Sequence, residues 1–322
     1  MKNLFNLKKI FTVGIIMLFG LSCKKESEEL TPKTKAKSIL EIAKENPELS
    51  IFVEALKKTG LDTLLNQPGT YTIFAPKNSV FGDKFSVGNT SKETLTKLLS
   101  NHVIGAINLA SSFKTGYIKT FSEGPGRNKV SMYISLDANP GFVTLNGKSK
   151  VIPADIIASN GVIHYVDGVI SVPTIFDHAK ANPEAFKSLV SYLTRPSQKA
   201  VLKLIDTVAT SANPYTLFAP TNAAFDLATG DNGFAKGASD AQITELLRYH
   251  VVKSNVISSS LTDKQSITTD LNQKIAVALD ITGIKIKDQA NRINTIDLKD
   301  VQASNGVIHV VSTVFQPKFI AR

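Results

Sequence analysis

The stretch ASNGVIHYVDGVI at residues 158–170 returns as ASNGVIHVVSTVF at residues 303–315, with 9 of 13 positions identical. Three further pairs of segments match in the same order, at residues 38–49 and 174–185, 71–81 and 215–225, and 95–104 and 243–252. The paired segments are offset by 136 to 148 residues, the length of a whole domain rather than of a solenoid unit. The sequence therefore predicts two copies of one domain, at residues 36–172 and 173–317.

Each copy begins with helical patterns and ends with strand patterns. Ile39, Ile42 and Ala43 have the i, i+3, i+4 spacing of a buried helix face. Asn-Gly pairs at 146–147, 160–161 and 305–306 instead indicate tight turns between strands. Helices followed by strands favour an α+β fold. Because no Gly/Ser-rich linker lies near Val172–Pro173, we expect the two domains to sit close together.

A second pair of segments has the form Thr-x-Phe-Ala-Pro-x-Asn-x-x-Phe, at residues 72–81 and 216–225. Between this motif and ASNGVIH the second copy has Tyr249-His250, where the first copy has Asn101-His102. Together these segments resemble the fasciclin (FAS1) domain family over about 280 residues. The resemblance implies two tandem FAS1-like domains, each a β-sandwich wedge flanked by helices. It also implies adhesion or ligand binding at a surface, without catalysis.

The signature residues favour structural roles over chemical ones. His102 and His250 have no second histidine at i+3 or i+4, so a buried core position is better supported than a metal or catalytic role. His164 and His309 fall inside strand patterns, where a hydrogen bond that closes the signature turn is expected. The same interpretation applies to the prolines that end the first signature strand and to the asparagines that can cap the following helix, Pro76, Pro220, Asn78 and Asn222.

Two acidic pairs precede the second signature and are candidates for partner contact. They are Asp155-Ile156 and Asp300-Val301. An Asp beside a branched apolar residue at this place resembles the integrin-contacting motifs of animal fasciclin proteins. An exposed carboxylate can complete a metal shell in a receptor, which gives the idea a mechanism. The alternative is a structural turn or cap.

Residues 1–22 have the pattern of a lipoprotein signal peptide. Lysines precede a 12-residue apolar run, Ile10–Leu21, that is too short to span a bilayer. Ser22-Cys23 follows and resembles a bacterial lipobox, although Gly20 stands where leucine is usual. This resemblance implies cleavage before Cys23 and lipid attachment to its sulfur and amino group.

Residues 23–35 are polar and predict a flexible tether. Their charged, partly acidic composition resembles the surface-export signals of Bacteroidetes lipoproteins. We therefore expect a protein anchored by lipid in the bacterial outer membrane and exposed at the cell surface, with the periplasmic face as the alternative.

Composition excludes several classes of protein. A single cysteine permits neither an intrachain disulfide nor a Cys-based zinc site. The net charge is +10, but the sequence contains no run of five basic residues, so no nucleic-acid groove is predicted. Because GxSxG, HExxH and P-loop motifs are absent from the sequence, we expect no catalytic residues, no metal and no cofactor.

These patterns predict a non-enzymatic, lipid-anchored cell-surface protein that adheres or binds a ligand through two fasciclin domains. The alternative is a scaffold or accessory lipoprotein of an outer-membrane polysaccharide-uptake assembly. The expected partners are the bilayer, through Cys23, and an extracellular polysaccharide or a protein on the cell surface. Basic residues of the first copy form either a solvated surface or a weak patch for acidic polysaccharide, namely Lys119, Arg127, Lys129, Lys148 and Lys150.

Overall fold

The first repeat is built from a helical half followed by strands. The structure, a computed structural model, describes residues 36–82, 85–137, 142–207 and 213–319. The helices of this repeat are α1 (Ile39–Glu45), α2 (Ser50–Thr59), α3 (Leu61–Asn66) and α4 (Lys92–Ser100). Its strands are β1 (Tyr71–Pro76), β2 (Val103–Ile104), β3 (Gly116–Glu123), β4 (Lys129–Leu136), β5 (Val143–Leu145), β6 (Ser149–Ala158) and β7 (Gly161–Val166).

The second repeat has the same order with one more helix after its first strand. Its helices are α5 (Ile175–Ala181), α6 (Pro183–Leu193), α7 (Lys199–Asp206), α8 (Asn222–Thr229) and α9 (Asp240–Tyr249). Its strands are β8 (Tyr215–Pro220), β9 (Val251–Val252), β10 (Ser266–Thr268), β11 (Lys274–Asp280), β12 (Gly283–Lys287), β13 (Ile293–Ala303) and β14 (Gly306–Val311).

The strands of each repeat form one seven-stranded sheet. The orders are β2-β1-β7-β6-β5-β4-β3 and β10-β11-β12-β13-β14-β8-β9. The two signature strands of each repeat pair in parallel, with Tyr71 opposite Gly161 and Tyr215 opposite Gly306. The backbones approach so closely here that a Cβ on Gly161 would lie 2.0 Å from the Tyr71 carbonyl oxygen. Only glycine fits this position, which explains the Asn-Gly pair in the signature.

Side-chain caps begin the first helix of each repeat. The Ser38 hydroxyl accepts a hydrogen bond from Glu41 N, and the Glu41 carboxylate accepts one from Ser38 N. Thr174 and Asp177 form the same capping box at α5. Such reciprocal caps satisfy amide groups that the first turn leaves unpaired.

Apolar clusters lie in the helical half and in the strand half of each repeat. In the first repeat, Ile73 packs in the helical cluster, whereas its chain neighbour Phe74 packs in the strand cluster. Leu217 and Phe218 divide in the same way in the second repeat. This alternation is the period-2 geometry of a strand buried on both faces. Tyr71 and Tyr215, by contrast, are only partly buried.

Proline closes the first signature strand without shortening it. The strand ends at Ala75-Pro76 as expected, but β1 includes both residues, since Pro76 pairs with Val166, and β8 likewise ends at Pro220. Because β2 pairs only with Thr72 and Ile73, β1 has a neighbour on one side alone at Pro76. The missing amide hydrogen therefore breaks no ladder bond.

The two repeats dock through strands β3 and β4 of the first and strand β13 with helix α5 of the second. Residues 36–322 accordingly form one compact unit. Tyr117 packs against the apolar core of the second repeat, and its ring lies edge-on to His178 with centroids 5.5 Å apart. Lys119 Nζ donates to the Asp300 carbonyl oxygen at 2.7 Å. The first repeat thus contributes both apolar and charged groups to this interface.

Backbone groups also meet across the interface. Gln302 N donates to Ser131 Oγ at 3.1 Å, between residues 171 positions apart in the chain. Gly124 lies so near Ala303 that a Cβ on the glycine would be 2.5 Å from the Ala303 carbonyl oxygen. The absence of a side chain at Gly124 therefore sets how closely the repeats approach.

Candidate functional site

A buried asparagine in each second signature joins the strand turn to the helices. Asn160 Oδ1 accepts from Ile39 N at 2.9 Å, and Asn160 Nδ2 donates to the Leu65 and Gln67 carbonyl oxygens, each at 2.9 Å. Asn305 makes the equivalent three bonds in the second repeat. These bonds pair backbone groups that burial would otherwise leave without partners. The signature asparagine therefore fixes the first helix against the sheet.

His102 and His250 connect the helical half of each repeat to the segment after its last strand. His102 Nδ1 donates to the Leu98 carbonyl oxygen at 2.9 Å, and His102 Nε2 accepts from Ile170 N at 3.0 Å. The equivalent bonds of His250 are both 2.8 Å long. Burial lowers the pKa of His102 and of His250 to about 4. Each ring is a neutral brace whose two nitrogens both bond to the backbone.

His164 and His309 connect the second signature strand to a loop on the far side of the first one. His164 Nε2 donates to the Asn108 carbonyl oxygen at 2.8 Å, and His309 Nε2 donates to the Val256 carbonyl oxygen at 2.8 Å. Burial lowers the pKa of both histidines. We expected these rings to close the signature turn, but Asn160 holds that turn in the first repeat. The histidines instead reach the loop that follows the next strand.

Asn78 and Asn222 hold the preceding helix rather than cap the following one. Asn78 Oδ1 accepts from Ile51 N at 3.0 Å, near the start of α2, and Asn78 Nδ2 donates to the Pro47 carbonyl oxygen at 2.9 Å. Asn222 Oδ1 accepts from Ser188 N at 2.9 Å, within α6. In both repeats the asparagine bridges a helix amide and the carbonyl four residues earlier, since Asn222 Nδ2 also donates to the Glu184 carbonyl oxygen at 2.9 Å.

The two acidic residues cap short turns. Asp155 Oδ1 accepts from Ala110 N at 2.9 Å, and Asp300 Oδ1 accepts from Ser258 N at 2.7 Å. Asp300 also accepts from the Ser258 hydroxyl. Each carboxylate thus sits at the first residue of a 3₁₀ turn, Ala110–Ser112 or Ser258–Ser260. The structural cap, the alternative to partner contact, is therefore present in both repeats.

Exposure differs between the two acidic pairs. The Asp155 side chain retains 31% of its accessible surface. Asp300 instead lies at the interface, where its main-chain carbonyl oxygen accepts a hydrogen bond from Lys119 of the first repeat. Ile156 is partly buried in the helical core, and Val301 is buried. Partner contact at these pairs stays a prediction; Asp155 is the more exposed of the two acidic residues, and its Oδ1 also lies 3.4 Å from His164 Nδ1.

The predicted basic patch is divided by the interface between the repeats. Lys119 and Lys148 both turn toward the second repeat, where Lys148 Nζ lies 3.4 Å from Asp177 Oδ1. Lys129 pairs with Glu123 at 2.9 Å. Because two of the lysines face the neighbouring repeat, the five basic residues do not act as one patch.

An exposed groove between α6 and α8 combines charged, hydroxyl and aromatic side chains. It measures about 490 Å³. The Tyr192 ring stacks on Phe225 with centroids 5.0 Å apart, and the Arg195 guanidinium lies 4.3 Å from the Tyr192 ring centroid. The groove is also lined by Lys187, Ser188, Ser191, Asn222, Asp226 and Thr229. Hydroxyls beside two cations are the groups that bind acidic sugars.

The remaining expectations concern metal, membrane and lipid. Among the residues that the structure describes, no group of three or more His, Cys, Asp and Glu side chains is placed to hold a metal ion. Within the same ranges no helix is both long enough and apolar enough to cross a bilayer. Cys23, the signal peptide at 1–22 and the tether at 23–35 lie outside the described residues.

Sequence reasoning missed the residues that join the two repeats. Tyr117, Gly124 and Ser131 contact residues of the second repeat, but none of them belongs to a signature. The one signal in the sequence is an absence of similarity, because none of the four matching pairs of segments covers the β3–β4 region. An element that has diverged between two copies is a reasonable place to look for their contact.

This architecture defines the class of protein. A sequence model of the fasciclin domain matches residues 47–173 and 184–317. The chain therefore belongs to the fasciclin domain family. The expectation of two tandem FAS1 domains, each a wedge-like sheet with helices, is confirmed.

Relatives include both animal and fungal proteins. Human periostin is 28% identical over 265 residues, which cover 77% of this chain and 28% of periostin. The transforming growth factor-beta-induced protein ig-h3 of Sus scrofa is 27% identical, covering 78% of this chain and 35% of that protein. A fasciclin-like arabinogalactan protein of Arthroderma benhamiae is 25% identical, with coverages of 88% and 68%. The chain thus spans about a third of the length of the two animal relatives.

A solved structure has the same fold. The FAS1 domain pair of the insect cell adhesion molecule fasciclin I aligns with a TM-score of 0.53, covering 86% of this chain and 98% of that one. At 18% sequence identity this likeness establishes the fold.

Proposed function

We propose that this chain is a lipid-anchored surface protein that binds an extracellular polysaccharide or a cell-surface protein through its fasciclin domains. The observation that carries the proposal is that the signature residues and the groove residues have different partners. The signature histidines and asparagines bond to the backbone and stabilise the fold. The groove between α6 and α8 instead presents the exposed Lys187, hydroxyl groups and Arg195, whose guanidinium lies 3.4 Å from Asp240 Oδ1.

The name of the insect structure supports adhesion as the biological role, since that protein is a cell adhesion molecule. The lipobox-like Ser22-Cys23 supports anchoring. Many anchored copies at one surface would convert weak single contacts into stable attachment. Modest affinity in each groove is therefore sufficient.

Binding is tested with residues 36–322, which contain the apolar clusters of both repeats. Beads coated with this unit should retain acidic polysaccharide at physiological salt. The double variant Lys187→Gln/Arg195→Gln should reduce retention about tenfold, because it removes both groove cations. Lys199→Gln, at an exposed position outside the groove lining, is the matched control. Equal retention by the double variant and the control would contradict the groove assignment.

Anchoring is tested in whole cells. Cys23→Ser should release the protein from the membrane fraction, and added protease should cleave the wild-type chain if it faces outward. Crosslinking in the same cells distinguishes the two roles: a stoichiometric membrane partner would favour the scaffold of a polysaccharide-uptake assembly instead.

A further inference from the structure

One face of the second repeat shows what a fasciclin domain can dock against. This docking face consists of His178, Asn255, Asp300 and Gln302. His178 Nε2 lies 3.3 Å from the Gln302 carbonyl oxygen, and Gln302 Nε2 donates to Asn255 Oδ1 at 3.2 Å, so the residues form one continuous surface. Strands β3 and β4 of the first repeat cover it, as the Ser131 and Lys119 contacts show.

The first repeat carries the same face, and in the described structure three of its four residues are exposed, whereas Ile42 packs partly against the helical core. The alignment of the repeats places Ile42, Ile107, Asp155 and Ile157 at the positions of His178, Asn255, Asp300 and Gln302. Ile157 is 65% exposed and Ile107 is 53% exposed. We call these four residues the free face. Three polar residues of the covered face are isoleucine here.

Isolated exposed isoleucines are ordinary, but a cluster of them is not. The duplication indicates that these residues cluster, because their counterparts in the second repeat contact one another. Leu109, 38% exposed, follows Ile107 by two residues and extends the apolar surface. The free face is therefore an apolar patch beside one open carboxylate, Asp155.

The second repeat carries the complementary element. Strands β10 and β11 correspond to the docking strands β3 and β4 of the first repeat. Glu123 pairs with Lys129 as Thr268 pairs with Lys274, which places Ala276 and Ala278 at the positions of Ser131 and Tyr133. In register, Ala276 lies opposite Ser266 and Lys287, and Ala278 lies opposite Lys285. We call this surface the free ribbon. It presents two small apolar residues next to two lysines.

We propose that the free ribbon of one copy docks on the free face of a second copy, so that the chain assembles head to tail. The alanines would pack on the isoleucines, and the exposed Lys287 of the ribbon would complement Asp155, whereas Lys285 pairs with Asp280 of its own repeat at 2.6 Å. The chain already contains one such contact between its own repeats, which sets the geometry. Each copy has one face and one ribbon, so the contact is heterologous and the assembly is open-ended. The inference is independent of the proposed ligand.

Association is measured on residues 36–322 by sedimentation over a concentration series. We expect association in roughly the micromolar range, as for a small interface. Ile157→Gln copies the residue of the covered face and should weaken association at least tenfold, and Ala276→Arg should do the same. Leu227→Gln changes a side chain that is 72% exposed on α8, outside both surfaces, and is the control. Circular dichroism melting verifies that each variant folds, and Ile107→Asn replaces Ile157→Gln if that variant does not.

Mixing the two variants separates head-to-tail contact from a symmetric one. An equimolar mixture of Ile157→Gln and Ala276→Arg still contains one intact face and one intact ribbon, so it should recover dimers but no longer species. If Ala276→Arg alone still forms dimers, the free faces contact each other and the proposal is wrong. A wild-type unit that stays monomeric at several hundred micromolar, or variants that associate as the wild type does, would also overturn it.

Discussion

The contact between the repeats depends on the absence of a side chain at Gly124, and this can be tested with one methyl group. A Cβ at this position would lie 2.5 Å from the Ala303 carbonyl oxygen and 3.3 Å from Gln302 Nε2. Carbon and oxygen are in ordinary contact at about 3.3–3.6 Å, so the Gly124→Ala variant must move the two repeats apart by roughly 1 Å. Overpacking of this kind costs about 1–3 kcal/mol. Since φ at Gly124 is −100°, the cost is steric and not conformational.

Differential scanning calorimetry measures the result on residues 36–322. We expect Gly124→Ala to lower the main transition by several degrees, and to separate the unfolding of the two repeats if docking couples them. Gly88→Ala is the matched control, because its nearest atom would be Ser86 Oγ at 3.6 Å. If both variants melt as the wild type does, the close approach at Gly124 does not hold the repeats together.

Two further predictions concern buried side chains. Burial lowers the pKa of His102, His178 and His250 from 6.5 to about 4. As the pH falls below about 6.5, protons bind the unfolded chain first, so stability should be constant above pH 7 and decrease down to pH 4. By pH 5 the loss is about 2 kcal/mol per histidine, and a urea midpoint that does not change between pH 7.5 and pH 5 would contradict this. Asn305→Ala leaves three buried backbone groups unpaired and should cost about 3–5 kcal/mol in urea unfolding, whereas the exposed Asn232→Ala should cost under 0.5 kcal/mol. A cost for Asn305→Ala as small as that of the control would show that water replaces those bonds.

Patterns local in sequence predicted most of the fold of each repeat. The duplication, the order of helices before strands and the Asn-Gly turn before Gly161 all follow from residues near one another in the chain. The roles of single side chains were harder to predict, because partners such as His164 and Asn108 are 56 residues apart. Burial of the His164 ring follows from the strand pattern, but its acceptor depends on where the loop after β2 lies against the sheet.

The interface was beyond sequence reasoning for a different reason. Ser131 and Gln302 belong to different repeats, and their hydrogen bond joins residues 171 positions apart. A motif found in both repeats reflects contacts that each repeat makes within itself. The interface between the repeats is different, because each repeat contributes a different surface to it. The contact therefore lies where the copies differ, and those positions look unremarkable in either copy alone.

Comparison of the two repeats separates residues that stabilise each domain from residues that lie at a contact surface. Residues identical in both repeats, such as Asn160 and Asn305, bond within their own domain and are required twice for the same reason. Residues at equivalent positions that differ in polarity, such as Ile157 and Gln302, occupy one covered and one open environment. An isoleucine at an open position gains nothing for its own fold, since burial is what makes an apolar side chain stabilising. Its presence there is explained most directly by burial against another surface, which is the premise that the mixing experiment tests.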